Sequence, residues 1–196
     1  MKTFGIELEE EMTRSGFVLS GHFPLLRTSV YSLEFDFGRN RVTIWYGPKQ
    51  DRLGTCMLKA KEISERVTRF HEMITKRAFN DLEFLKGLYR AYVAAVKKGN
   101  KKMGEPLPII SLLRERVSLS RRNKSITNMV RNNHNRVFFS YDLFRLREKR
   151  IDGFELELII ATRMYTRRKE DYLWVPVNEK GQGSFISHVR FRGIES

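Results

Sequence analysis

The sequence predicts an α+β protein, on three patterns. Ser29–Phe37 alternates residue by residue, with Tyr31, Leu33, Phe35 and Phe37 on one side and Val30, Ser32, Glu34 and Asp36 on the other, the period of a half-buried strand. From Lys59 to Lys98 the period becomes helical. Ile63, Val67, Phe70, Ile74 and Ala78 form one stripe; Leu82, Leu85, Leu88, Tyr89, Tyr92 and Val96 form a second. After a polar, basic middle, Phe154–Ala161 and Ser184–Arg192 return to strand character.

Gly38-Arg39-Asn40 reads as a turn into a returning strand, Val42–Tyr46, which makes a β-hairpin ended by Gly47-Pro48. A short third strand is expected near Thr55–Leu58, after a turn at Arg52-Leu53-Gly54. Asn80 followed by Glu83 has capping-box spacing and opens the second helix. Gly99 stops it, with Lys97 and Lys98 where cations suit the helix dipole. Residues 1–100 therefore read as a β-hairpin sheet with a helical hairpin, whose 59–98 helices offer a face to a second copy or a protein partner. Lys101–Pro108, with Gly104, Pro106 and Pro108, is the expected linker, 101–108. The remainder, 109–196, is the expected second part, and the two can pack as one body. It begins with a short helix, Ile109–Val117. A polar stretch, Ser118–Asn135, follows, in which Ile126, Met129 and Val130 suggest a helical turn. Phe138–Arg150 is then a helix with Ser140 as N-cap, and Asp152-Gly153 turns the chain into the Phe154–Ala161 strand.

Charge is the strongest global signal. Lys and Arg number 37 against 23 Asp and Glu, a net of +14. Residues 1–37 hold three basic and six acidic residues, net −3, whereas 114–150 hold eleven basic and three acidic, net +8. One electropositive surface on a folded chain suits a polyanion, because each neutralised phosphate releases counterions. A single cysteine, Cys56, excludes an intramolecular disulfide framework and fits a reducing compartment, so a cytoplasmic location is expected. The N-terminus turns acidic at once, unlike a secretory or transit peptide, and no apolar run reaches the roughly 18 residues that span a bilayer, so no membrane partner is expected.

The order short helix, helical turn, long helix, strand, basic tip, strand over Ile109–Val177 resembles a winged helix-turn-helix DNA-binding domain. The resemblance makes Ser125–Arg131 the second helix and Phe138–Arg150 the third, with Phe154–Arg163 and Asp171–Val177 flanking a β-hairpin wing tipped by Met164–Glu170. The linker between those helices, Asn132-Asn133-His134-Asn135-Arg136, departs from that layout in having no apolar residue at its centre. The resemblance implies base contacts from Asn133, Asn135, Arg136, Ser140 and Tyr141, since Asn pairs bidentately with adenine and Arg with guanine. It places Arg121, Arg122, Lys124 and Arg131 near phosphates, and Arg163, Arg167, Arg168 and Lys169 on the adjacent backbone or minor groove. Asn-rich loops and solvated Arg-rich faces are also common without any ligand.

The expected function is nucleic-acid binding, with double-stranded DNA favoured over RNA. The alternatives are a metal-dependent nuclease and a subunit of a nucleoprotein assembly that binds RNA or single-stranded DNA. Strand aromatics such as Trp45 and Tyr165 would suit base stacking in the last case, although core packing is their commoner fate. Glu34 with Asp36, and Glu155 with Glu157, have the i,i+2 spacing to share a metal, but alternating outer-face acids are equally what solubility requires. The four histidines are scattered, no nucleophile pattern occurs, and Gly181-Gln182-Gly183-Ser184 lacks the lysine and helix of a phosphate loop. No catalytic residue, metal ligand or cofactor is assigned.

Overall fold

The computed structural model describes residues 2–122 and 132–194, with side chains at all of these except 2, 120–122 and 132–135. Among the described residues the order is α1 (Lys2–Arg14), β1 (Ser20–His22), β2 (Leu25–Thr28), β3 (Tyr31–Asp36), β4 (Arg41–Tyr46), β5 (Asp51–Met57), α2 (Ala60–Thr75), α3 (Asp81–Lys98), β6 (Leu107–Pro108), α4 (Ile109–Arg122), α5 (Asn132–Arg145), β7 (Arg150–Ile151), β8 (Phe154–Ile160), β9 (Leu173–Pro176) and β10 (Gly183–Gly193). This is the α+β class that the sequence predicts. The chain divides into two compact units: unit 1 is Met1–Arg77 with Pro176–Gly183, and unit 2 is Ala78–Val175 with Ser184–Ser196. The expected division at 101–108 does not coincide with this one.

Unit 1 is an antiparallel meander, β1-β2-β3-β4-β5. The expected hairpin is its centre, paired from Tyr31↔Tyr46 to Asp36↔Arg41, and the alternation puts Leu33, Val42 and Ile44 wholly inside. α2 buries Ile63, Val67 and Ile74 as its stripe requires, and packs against β5 and α1. No element was expected over residues 2–14. Yet Leu8 and Met12, at i,i+4, are completely buried, and they hold α1 in place. β5 begins at Asp51, where a turn was expected. The turn lies earlier, with Gly47 and Lys49 both at positive φ (62° and 58°). Gly54 sits inside the strand because Phe70 lies over it: a Cβ there would stand 3.0 Å from the Phe70 ring. That glycine serves close packing, not chain reversal.

Unit 2 is built on the sheet β6-β10-β8-β7, with β9 also paired to β10. The expected helical hairpin does not form as a unit, since α2 and α3 belong to different units and α3 packs against α4. The physical reason is the second stripe itself. Leu85, Leu88, Tyr92 and Val96 share one core with Ile109, Leu112 and Leu113 of α4, and with Leu156, Val189 and Phe191 of the sheet. Burial of each such side chain contributes about 1.5–3 kcal/mol. An exposed ion pair such as Arg150–Glu155 (3.6 Å) contributes below about 1 kcal/mol, so the core and not the charge ladder holds the sheet. The helix start at Asn80 is as expected: its side chain accepts the Glu83 N–H at 3.0 Å.

Residues 101–108 lie within unit 2. The buried Tyr92 hydroxyl donates to the Glu105 carbonyl (2.8 Å) and accepts the Gly104 N–H (3.0 Å), while Leu107 is buried and pairs with Val189. α4 runs on to Arg122 instead of stopping at Val117. α5 starts at Asn132 and ends at Arg145, so the expected Phe138–Arg150 helix is shifted. It stops early because the Asp81 carboxylate takes the Arg147 N–H (2.8 Å) and the Lys149 carbonyl accepts from Leu156. Ser140 is therefore not an N-cap. Asp152 and Gly153, both at positive φ, form the expected two-residue turn between β7 and β8. The expected wing is absent as a hairpin, since β8 pairs with β7 and β10, and β9 pairs with β10. The expected second helix, Ser125–Arg131, lies outside the described residues, so the order of elements alone would have to carry a winged-helix reading.

Removing the Asn80 cap with Asn80→Ala should cost about 1 kcal/mol. Tyr92→Phe should cost about 1–3 kcal/mol by leaving two main-chain groups without their bridge. Urea denaturation midpoints at constant m-value would check both; a Tyr92→Phe midpoint equal to wild type would show that water replaces the hydroxyl.

Candidate nucleic-acid interface

Positive charge follows the division into units. Unit 2 carries 23 Lys and Arg against 12 Asp and Glu, net +11; unit 1 carries 14 against 11, net +3. Within unit 2 an exposed basic stretch joins β8 to β9. Arg163, Arg167, Arg168 and Lys169 are all exposed, and Glu170 and Asp171 follow them. The connection is irregular but internally bonded. The Tyr165 N–H reaches the Thr162 carbonyl (2.9 Å), the Thr166 hydroxyl reaches the Arg163 carbonyl (3.2 Å), and the Asp171 N–H reaches the Arg168 carbonyl (3.1 Å). Tyr165 is half-buried with its ring edge-on to His188 of β10 (4.8 Å between centroids), and Tyr172 meets Phe185 in the same manner at 5.0 Å. The stretch thus turns its aromatics to the sheet and its cations to solvent.

Arg136, in α5, reaches the far end of this connection. Its Nη2 donates to the Lys169 carbonyl (2.9 Å) and to the Tyr172 carbonyl (3.0 Å). The sequence suggested Arg136 for a base edge and the 163–169 tip for the adjacent backbone or minor groove; the structure joins them directly. Main-chain carbonyls leave no mark in a sequence, which is why this bond was not foreseen.

The other expected contacts are placed as follows. Ser140 is 1% exposed and its hydroxyl donates to the Trp174 carbonyl at 2.5 Å, so it faces the interior and not a base edge. Tyr141 is half-buried, tilted against Phe144 (5.5 Å), with the Arg145 guanidinium 5.7 Å above its ring. Arg121 and Arg122 end α4, and Asn133 and Asn135 lie in the first turn of α5. Lys124 and Arg131 lie outside the described residues. The expected strand run after the basic tip is present: Leu173, Trp174 and Val175 are all buried.

Both carboxylate pairs are engaged by neighbours. Glu34 accepts the Trp45 indole N–H (3.0 Å) and pairs with Lys49, and Asp36 takes the Arg39 N–H (3.1 Å). Glu157 accepts from Arg190 (2.8 Å), which holds its carboxyl below the usual carboxylate range; Glu155 lies 3.6 Å from Arg150. Among the described residues no three His, Cys, Asp or Glu side chains gather closely enough to hold a metal ion. Burial pushes the Cys56 thiol up to about 11, so it is protonated and poorly nucleophilic at neutral pH. No helix among the described residues is long and apolar enough to cross a membrane.

Two histidines give a pH signature. Burial lowers the pKa of His71, which lies edge-on to Phe17 (5.3 Å) with Nδ1 3.3 Å from the Tyr31 hydroxyl. Burial also lowers that of His188, and the Lys101 ammonium acts in the same direction. In both cases the unfolded chain takes up the proton first as pH falls through about 6.5. The stabilisation is complete above that value and is lost progressively down to the folded pKa. Melting temperature should therefore drop between pH 7.5 and 5.5, and His71→Gln and His188→Gln should each flatten the profile. A melting temperature that rises over that interval would contradict the burial of these rings.

No family model, curated protein or solved structure matches the chain, so its function is argued from its own residues.

Proposed function

We propose that the protein binds nucleic acid through unit 2, with the 163–169 segment as a phosphate contact. The observation that carries this is the concentration of charge: a net of +11 in one unit, with four cations displayed on a connection whose aromatic side chains are turned inward. A solvated loop needs no such order, whereas a loop that meets a phosphate backbone gains affinity by being shaped beforehand. Duplex DNA is the favoured ligand. Tyr165 and Trp174 are turned to protein, so among the described residues these two rings do not form a stacking row for a single strand. The engaged carboxylates supply no ready metal site, which leaves binding ahead of phosphodiester cleavage.

Gel shifts with duplex DNA, single-stranded DNA and RNA at two salt concentrations test the reading. The logarithm of affinity should fall steeply with the logarithm of salt, by about 0.9 per phosphate contact on duplex DNA. Replacing Arg167, Arg168 and Lys169 together by Ala should weaken binding evenly across sequences and reduce that slope by up to about 3. A salt-independent affinity would sink the electrostatic mechanism, and unchanged binding by the triple variant would remove the 163–169 segment from it. Ser140→Ala should leave affinity unchanged while lowering stability by about 1 kcal/mol, as expected of an interior hydroxyl.

A further inference from the structure

We propose that Arg136 is a positioning residue: it holds the β8–β9 connection in the shape that presents Arg163, Arg167, Arg168 and Lys169, and acts on the ligand through that connection rather than by contact. This rests on the nucleic-acid reading above and adds how the site is organised. The geometry is specific. One guanidinium nitrogen carries two N–H groups, and here it donates to two carbonyls three residues apart, those of Lys169 and Tyr172. Bonds from a charged donor are roughly twice as strong as neutral ones, and a planar fork loses less freedom than a lysine would in making them. The bonds close the far end of the connection against α5. At the near end Tyr165 closes it against His188 of β10. Between these two anchors lie Arg167 and Arg168, exposed and backed by the turn that ends at Asp171. A connection tied at both ends meets a phosphate backbone without first being ordered, which is where a loop of this length would otherwise lose affinity.

The test compares Arg136→Lys, which keeps the charge but not the fork, with Arg136→Gln, which loses the charge. Both are first checked for wild-type helicity and cooperative melting. Brief trypsin digestion of each protein, without ligand and mapped by mass, reads cutting after Arg163, Arg167, Arg168 and Lys169. Gel shifts on a duplex over a salt series read affinity. The expected result for Arg136→Lys is faster cutting confined to 163–169, with affinity roughly tenfold lower at every salt and the slope unchanged, since the number of cations is unchanged. Arg136→Gln should cut as fast and show the same slope. Wild-type cutting rates in both variants would overturn the positioning role. So would faster cutting with wild-type affinity. A slope lowered by about 0.9 in Arg136→Gln alone, with cutting unchanged, would mark Arg136 as a direct phosphate contact and also overturn it. Absence of nucleic-acid binding by the wild-type protein, with the cutting difference intact, would instead refute the functional reading on which the proposal stands.

Discussion

Unit 2 depends on one strand. β10 pairs with β6, β8 and β9, segments that start at residues 107, 154 and 173, and its Ile186, Val189 and Phe191 enter the core shared with α3 and α4. A strand offers two edges of main-chain donors and acceptors, and burying it requires that they be used. Val189 pairs with both Leu107 and Leu158, so both its edges are taken at that point. The supposed linker at 101–108, the 146–149 segment and the basic connection are each drawn into place by the strand or turn that β10 organises. The register shift between Ile186 and His188 has a local consequence as well. It accompanies the exposure of Ile160, 65% open at the end of a strand whose alternation fades after Leu156, and His188 beyond the shift lies beside Tyr165.

The basic connection inherits its position from that sheet. β8 leaves β10 and β9 returns to it, so both ends of 161–172 are fixed by main-chain hydrogen bonds before any side chain acts. What the side chains add is direction. Tyr165 and Tyr172 turn toward His188 and Phe185, Arg136 captures two carbonyls, and the cations are left on the outside. The arginine that a sequence reader would send to a base edge is the one spent on protein. Four arginines and lysines that look equivalent in composition thus separate from a fifth by what they face.

The charge ladder across β7, β8 and β10 shows the opposite economy. Arg150, Glu155, Glu157 and Arg190 lie on or beside paired positions, and Glu157 bonds Arg190 directly. There Arg150 and Arg190 each meet a glutamate of β8. The acidic pairs that suggested a metal are explained in a similar way, as each carboxylate meets a cation or an N–H from a neighbouring strand or turn.

The sequence by itself determined the local elements whose signals are periodic or capped: the β3–β4 hairpin, the α2 and α3 stripes, the Asn80 cap, the Asp152-Gly153 turn and the α+β class. Periodicity reports which face a segment buries, and a cap or turn residue acts within a few positions. It did not determine partners. Nothing in the α2 and α3 stripes says that one is covered by α1 and β5 and the other by α4, because any apolar face will serve. Nothing in Phe154–Val177 says that its two strands pair with a third and not with each other, because hydrogen-bonding edges are alike in every strand. The end of α5 at Arg145, the packed loop under Tyr92 and the grip of Arg136 on the basic connection were decided by tertiary structure. Each is made by a side chain meeting main-chain groups, some of them far along the chain, and main-chain groups are the same at every position.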